Sequence, residues 1–219
     1  MNINPKRFLT ALRAMRSEAR FAIARQAMQE QFPDVIFGEG VIVRAPERFK
    51  AGKKCFLDTR AYLSCGGGAW SGNSGYIHLG DNCEIGPYCV LWGAGGIVMG
   101  NNVHIGSHVN ITAHEAVHID PAVDDPMLPL NFKFDPVIIE DHVIICSGTS
   151  IIPGVRIGHH AMIGAGAVII DDIPPCSLAV GVPARVVKTW GPNGTELPRE
   201  GRVPRNGDLA TAHAERWVP

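Results

Sequence analysis

The chain has 219 residues, of which 46% are hydrophobic and 19% charged, a composition that supports a packed core and excludes a charge-rich disordered polymer. Its formal net charge of -1 gives no electrostatic argument for nucleic acid, and no run is long and apolar enough to span a bilayer. The 25 glycines and 16 prolines, set beside only 7% aromatics, point to frequent tight corners around a thin core.

Residues 5–31 predict a helix. Phe8, Leu9, Leu12, Met15, Ala19, Ile23 and Met28 recur at helical spacing, with Lys6, Arg7, Arg13, Arg16, Arg20 and Arg25 opposite. A basic amphipathic helix can lie on an anionic membrane, but Glu18, Glu30 and many alanines dilute that signature. The reading adopted is a helix packed on the body or on a partner subunit, within an N-terminal segment 1–36. Charges run throughout the first residues, unlike the apolar stretch of a secretory signal, so the cytoplasm is the expected compartment. The cysteines form no CxxC pair; Cys83, Cys89 and Cys146 read as buried small residues, and no disulfide framework is expected.

From Phe37 a six-residue rhythm begins. Leu79-Gly80-Asp81-Asn82-Cys83-Glu84 is followed by Ile85-Gly86-Pro87-Tyr88-Cys89-Val90, and further hexads open at Met99, Ile105, Ile139, Ile145, Ile151, Ile157 and Ile163; weaker ones open at Val43, Ala51 and Leu57. The aliphatic first residue points inward, and the small fifth residue (Cys83, Val103, Val143, Thr149, Val155, Ala161, Ala167) sits near a corner. Glycine at the second position relieves backbone crowding at the turn. Three hexads make one triangular coil, and stacked coils form three parallel sheets around a shared core. The predicted fold is mainly β: a parallel β-helix over residues 37–190.

The rhythm breaks between Ile111 and Val137, where the segment contains four prolines and four aspartates. It predicts a loop, 112–136, extruded from one corner, and a long irregular loop in a repeat fold is usually functional. Gly66 to Gly75 predicts a shorter flexible turn. Beyond Asp172 the repeat ends, and 191–219, rich in Pro, Gly and charge, reads as an extended tail.

The hexads, the segment NITAHEAVH at 110–118 and the closing run IIPGVRIGHHAMIGAGAVIIDDIPPCSLAVGVPARVVK at 151–188 resemble the hexapeptide-repeat acyltransferases, in particular the galactoside, maltose and nodulation-factor O-acetyltransferase group. The resemblance covers residues 77–190. It implies a left-handed coil and a homotrimer with sites between subunits. It also implies direct acetyl transfer from acetyl-CoA, as cosubstrate, to a saccharide hydroxyl, in the setting of surface-polysaccharide or lipopolysaccharide assembly.

His114 matches the catalytic base of that group, and the chemistry agrees: a neutral imidazole can take the proton of a hydroxyl as it attacks a thioester. Glu115, Asp120, Asp124 and Asp125 are candidates to orient the ring, and His118 reads as peripheral. Ser147 matches a position near the thioester, Ala165 one that contacts the pantetheine arm, and Arg185 and Lys188 basic residues near the coenzyme phosphates. Trp92 is a candidate to stack on a sugar ring. Relatives often carry Trp at the place of Ile144 and a basic residue at that of Asp171. Polar acceptor-binding residues give way to Gly86 and Gly93, so the acceptor is not expected to be a simple galactoside. No metal is expected. N-acetylation of an amino-sugar nucleotide is an alternative. So is a γ-class carbonic anhydrase-like metal enzyme, which needs three histidines converging on a metal between subunits, from among His104, His108, His114, His118, His142, His159 and His160.

Overall fold

The structure, a computed structural model, describes residues 22–23, 25–72, 74–117, 132–191 and 194–197. Short strands succeed one another on three faces in strict rotation. Face one holds Val35–Phe37, Cys55–Leu57, Glu84–Ile85, His104–Ile105, Ile144–Ile145, Met162–Ile163 and Ser177–Val180, closed by the antiparallel Arg185–Thr189. Face two holds Ile42–Arg44, Tyr62–Ser64, Val90–Trp92, Asn110–Thr112, Ser150–Ile151 and Val168–Ile169. Face three holds Phe49–Ala51, Ile77–Leu79, Ile97–Met99, Val137–Ile139 and Arg156–Ile157. Within each face neighbouring coils pair in parallel, as in Ile105↔Ile145 and Ile145↔Ile163. This is the left-handed parallel β-helix, the exception to the right-handed crossover. The first strand begins at Val35, two residues before the rhythm is legible in sequence.

The hexad explains the core. First-position residues such as Ile85, Leu91, Ile111, Ile157, Ile163 and Ile169 are fully buried, as are the fifth-position Val103, Val143, Thr149 and Ala167. Each buried aliphatic contributes roughly 1.5–3 kcal/mol. Fifth-position cysteines also satisfy the corner backbone: Cys83 Sγ donates to Gly100 O at 3.1 Å and Cys89 Sγ to Gly106 O at 3.0 Å. Burial pushes the Cys89 thiol up to about 11. Cys146 is different: it occupies a second position and is half-buried rather than buried. Second-position glycine answers coil stacking, since a Cβ on Gly80 would lie 2.5 Å from Gly100 O. The left-handed residues instead fall at the fourth position, among them Asn82, Asn102, His142 and His160, types that tolerate this region.

Residues 25–31 are helical, and the helix ends on the first coil. Phe32 packs edge-on to Phe49 at 5.1 Å and beside Phe37 at 6.4 Å, while Gln29 Nε2 donates to Val35 O at 2.8 Å. The open end of the solenoid, where face-one and face-three residues would meet water, is covered at this point. Residues 1–4, residues 5–21 and 24 of the predicted helix, and most of the tail 191–219 lie outside the described residues. Among those described, no helix is long and apolar enough to cross a membrane.

Candidate active site

Every insertion before the fifth coil leaves from one corner, that between faces two and three. In the second coil the insertion includes the 3-10 turn Ala69–Ser71; in the third it is Gly93–Gly96; in the fourth it is the long loop. The loop leaves and returns through a fixed base. Ala113 N donates to Trp92 O at 2.9 Å, Asp135 N to Ala113 O at 3.2 Å and Val137 N to Gly96 O at 3.0 Å. From this base an antiparallel hairpin rises, His114–Ala116 against Phe132–Phe134, with His114 opposite Phe134 and Glu115 opposite Lys133. Strand alternation therefore sends His114, Phe132 and Phe134 to one face of the hairpin and Glu115 and Lys133 to the other.

The stacked insertions bring aromatic rings around His114. Trp70 lies 5.0 Å from it, Phe132 5.7 Å, Trp92 6.3 Å and Phe134 6.4 Å, centroid to centroid. Trp92 is held in turn by Tyr62 at 5.3 Å. His114 Nδ1 is buried without a hydrogen-bond partner among the described residues. Burial pushes the imidazole pKa below the ordinary histidine value, because the apolar surround penalises the cation. The shift favours the uncharged imidazole. Glu115 does not orient it: its carboxylate faces Lys133, whose ammonium is 4.0 Å from Glu115 and 2.5 Å from Asp135. His118, Asp120, Asp124 and Asp125 lie outside the described residues.

The other predicted site residues occupy a different corner, between faces one and two. Ser147 and Ala165 are exposed one coil apart, linked by Gly166 N donating to Ser147 O at 2.9 Å. Ser147 Oγ accepts from Ser107 N at 3.1 Å. Beside them a groove of about 320 Å³ is lined by Glu84, His104, Ile144, Cys146 and Ser147. Arg185 opens the closing strand and stays exposed, its guanidinium 3.4 Å from Asp171. Lys188 is paired to Glu196 at 2.8 Å. One chain therefore joins His114 to Trp92, and Ser147 to Ala165, but presents the two pairs on separate corners. Sequence reasoning missed Trp70, Phe132 and Phe134. Trp70 sits in the Gly66–Gly75 turn, and the phenylalanines in the loop, where no repeat marks a side-chain direction.

The histidines required by a carbonic anhydrase-like site are dispersed. His104 faces Glu84 at 3.2 Å, His108 stacks on Tyr88 at 5.1 Å, and His142 stacks on His160 at 4.6 Å on a third corner. Among the described residues no three of them meet within one chain.

Fold and repeat together define the class: this is a hexapeptide-repeat β-helix protein. Residues 136–171 match the family model for the bacterial transferase hexapeptide (six repeats). The chain is 32% identical over 139 residues to galactoside O-acetyltransferase of Escherichia coli, 63% of this chain and 62% of that one. It is 33% identical over 124 residues to serine acetyltransferase of Bacillus licheniformis, 57% of this chain and 52% of that one. The chain spans about half the length of the first relatives it matches. In structure it resembles an N-acyltransferase from Bacillus cereus with a TM-score of 0.60 at 22% identity, covering 84% of this chain and 86% of that one, which bears on the fold.

Proposed function

We propose that the protein transfers an acetyl group from acetyl-CoA to a saccharide hydroxyl, with His114 as general base. The observation that carries this reading is the half-buried imidazole of His114, its Nδ1 without a partner among the described residues, set against Trp70 and Trp92 at the extruded-loop corner. A base kept uncharged can accept the hydroxyl proton, and indole faces suit the apolar faces of a pyranose. The likeness to galactoside O-acetyltransferase supports the same chemistry.

The groove at Ser147 is open and suits the thioester arm; Ala165 lies exposed one coil beyond Ser147, and Arg185 is an exposed cation on the closing strand available to the coenzyme phosphates. Asp171 beside Arg185 offsets part of that charge, and Lys188 is engaged by Glu196, so the phosphate grip rests on Arg185. Since His114 and this groove lie on separate corners of one chain, the working site needs His114 from one subunit and the groove of the next. A homotrimer supplies that arrangement by closed symmetry.

The test is acceptor-dependent release of coenzyme A thiol from acetyl-CoA with sugars, amino sugars and sugar nucleotides. His114→Ala is expected to lower kcat/KM by about a hundredfold or more. Acceptor-dependent release undiminished in this variant refutes the assignment of the base. Turnover confined to amine acceptors replaces O-acetylation with N-acetylation.

A further inference from the structure

The third corner, between faces three and one, carries a column of fourth-position residues in the left-handed conformation: Lys54, Asn82, Asn102, His142, His160 and Cys176. Beside it runs the third-position column. Asp81 Oδ1 accepts from Lys53 N at 2.7 Å, Asn101 Oδ1 from Asp81 N at 2.8 Å and Asp141 Oδ1 from Asn101 N at 2.7 Å. In the next coil that place is taken by His159. Three potential ligands thereby converge at the closing end of the solenoid: the ligating atoms of His159, His160 and Cys176 all lie within 4.8 Å of one another. The two Nδ1 atoms are 3.1 Å apart.

Backbone preference explains part of this column. Histidine and asparagine tolerate the left-handed region, so His142 and His160 need no ligand to account for them. That preference does not account for His159, which is not left-handed, nor for Cys176, whose residue type is not favoured there. Nor does it account for two imidazole nitrogens facing each other, a contact in which one must offer its lone pair. The backbones are held in place. Cys176 N donates to His159 O at 2.8 Å, His160 N to Asp141 O at 3.0 Å, and Glu140 Oε2 accepts from His159 N at 2.8 Å. Both imidazoles are exposed and Cys176 is half-buried, so an ion can enter.

We propose that His159, His160 and Cys176 form a binding site for a borderline divalent transition ion such as zinc, separate from the acyl-transfer corner. Nitrogen and sulfur donors select zinc or cobalt over magnesium or calcium, which take oxygen. In a tetrahedral site with bonds of about 2.1–2.3 Å the ligands stand roughly 3.5 Å apart, so closure requires the ligating atoms to move by about 1 Å through side-chain rotation. Water completes the coordination. The ion ties the turn at Cys176 to the preceding coil, where face three ends with the Ile157↔Ile173 bridge. Its role is to clasp the end of the solenoid, and it takes no part in transfer.

The full chain, freed of metal with a chelator, is titrated with cobalt(II). One equivalent per chain is expected to bind with a dissociation constant below about 10 µM and to develop a thiolate-to-cobalt charge-transfer band. Cys176→Ser is expected to abolish the band, and His160→Asn, which keeps a residue suited to the left-handed backbone, to weaken binding at least about tenfold. Zinc is expected to slow alkylation of Cys176 and leave that of Cys146 unchanged. No charge-transfer band at one equivalent overturns the site, as does a band that persists in either variant with wild-type affinity.

Discussion

His114 shows how a residue's surroundings decide what it does. Its imidazole lies among Trp70, Trp92, Phe132 and Phe134, and burial lowers its pKa. A base works when unprotonated, so activity falls as pH drops through the folded-state pKa and is flat above it. The acid limb of kcat/KM against pH is therefore expected to lie below the ordinary histidine range near 6.5. An acid limb above 6.5 would show that a carboxylate, not the aromatic surround, sets the titration. Stability follows the same sign. With the folded pKa depressed, the unfolded chain binds the extra proton, so this contribution is whole above about 6.5 and is lost as pH falls toward the folded value.

At the scale of elements, the β-helix places its candidate site where coils are interrupted. The short turn at Ala69–Ser71 and the hairpin of His114–Ala116 with Phe132–Phe134 come from different coils, yet stack because both leave the same corner. Trp70 lies 4.7 Å from Phe132 as well as 5.0 Å from His114, and so bridges the two insertions. If Trp70 presents a face to the sugar, Trp70→Ala raises the acceptor KM by about tenfold and leaves the acetyl-CoA KM within about twofold. Equal loss on both substrates would instead assign Trp70 to positioning the hairpin. Steady-state kinetics with each substrate varied in turn separates the two.

For the whole molecule the prediction concerns assembly. His114→Ala removes the proposed base and Ala165→Trp places a bulky side chain one coil from Ser147 at the proposed coenzyme corner, so each variant alone is expected to lose most activity. If the site joins two subunits, co-assembly of the two variants in equal amounts restores about a quarter of wild-type activity, because one interface in four then carries both intact halves. No recovery from a mixed assembly would place the whole site within one chain.

The fold was legible because a hexad is a local pattern with a global consequence: an aliphatic residue every six positions, as at Ile139, Ile145, Ile151, Ile157 and Ile163, allows one inward register and so dictates stacked coils. His114 and Trp92 were legible because both stand next to hexads that fix their position, and the structure sets them together. The rest required the third dimension. Trp70 is 44 residues from His114 in sequence, and only the shared corner makes them neighbours. Lys188 reads as a free cation until the closing strand brings Glu196 to it. Cys176 stands a full turn of the solenoid from the adjacent His159 and His160, and the stacking of that turn on the preceding one decides that they meet. Sequence by itself determined the coil, since hydrophobic periodicity acts residue by residue; tertiary structure decided the contents of each corner, since those depend on which insertions stack.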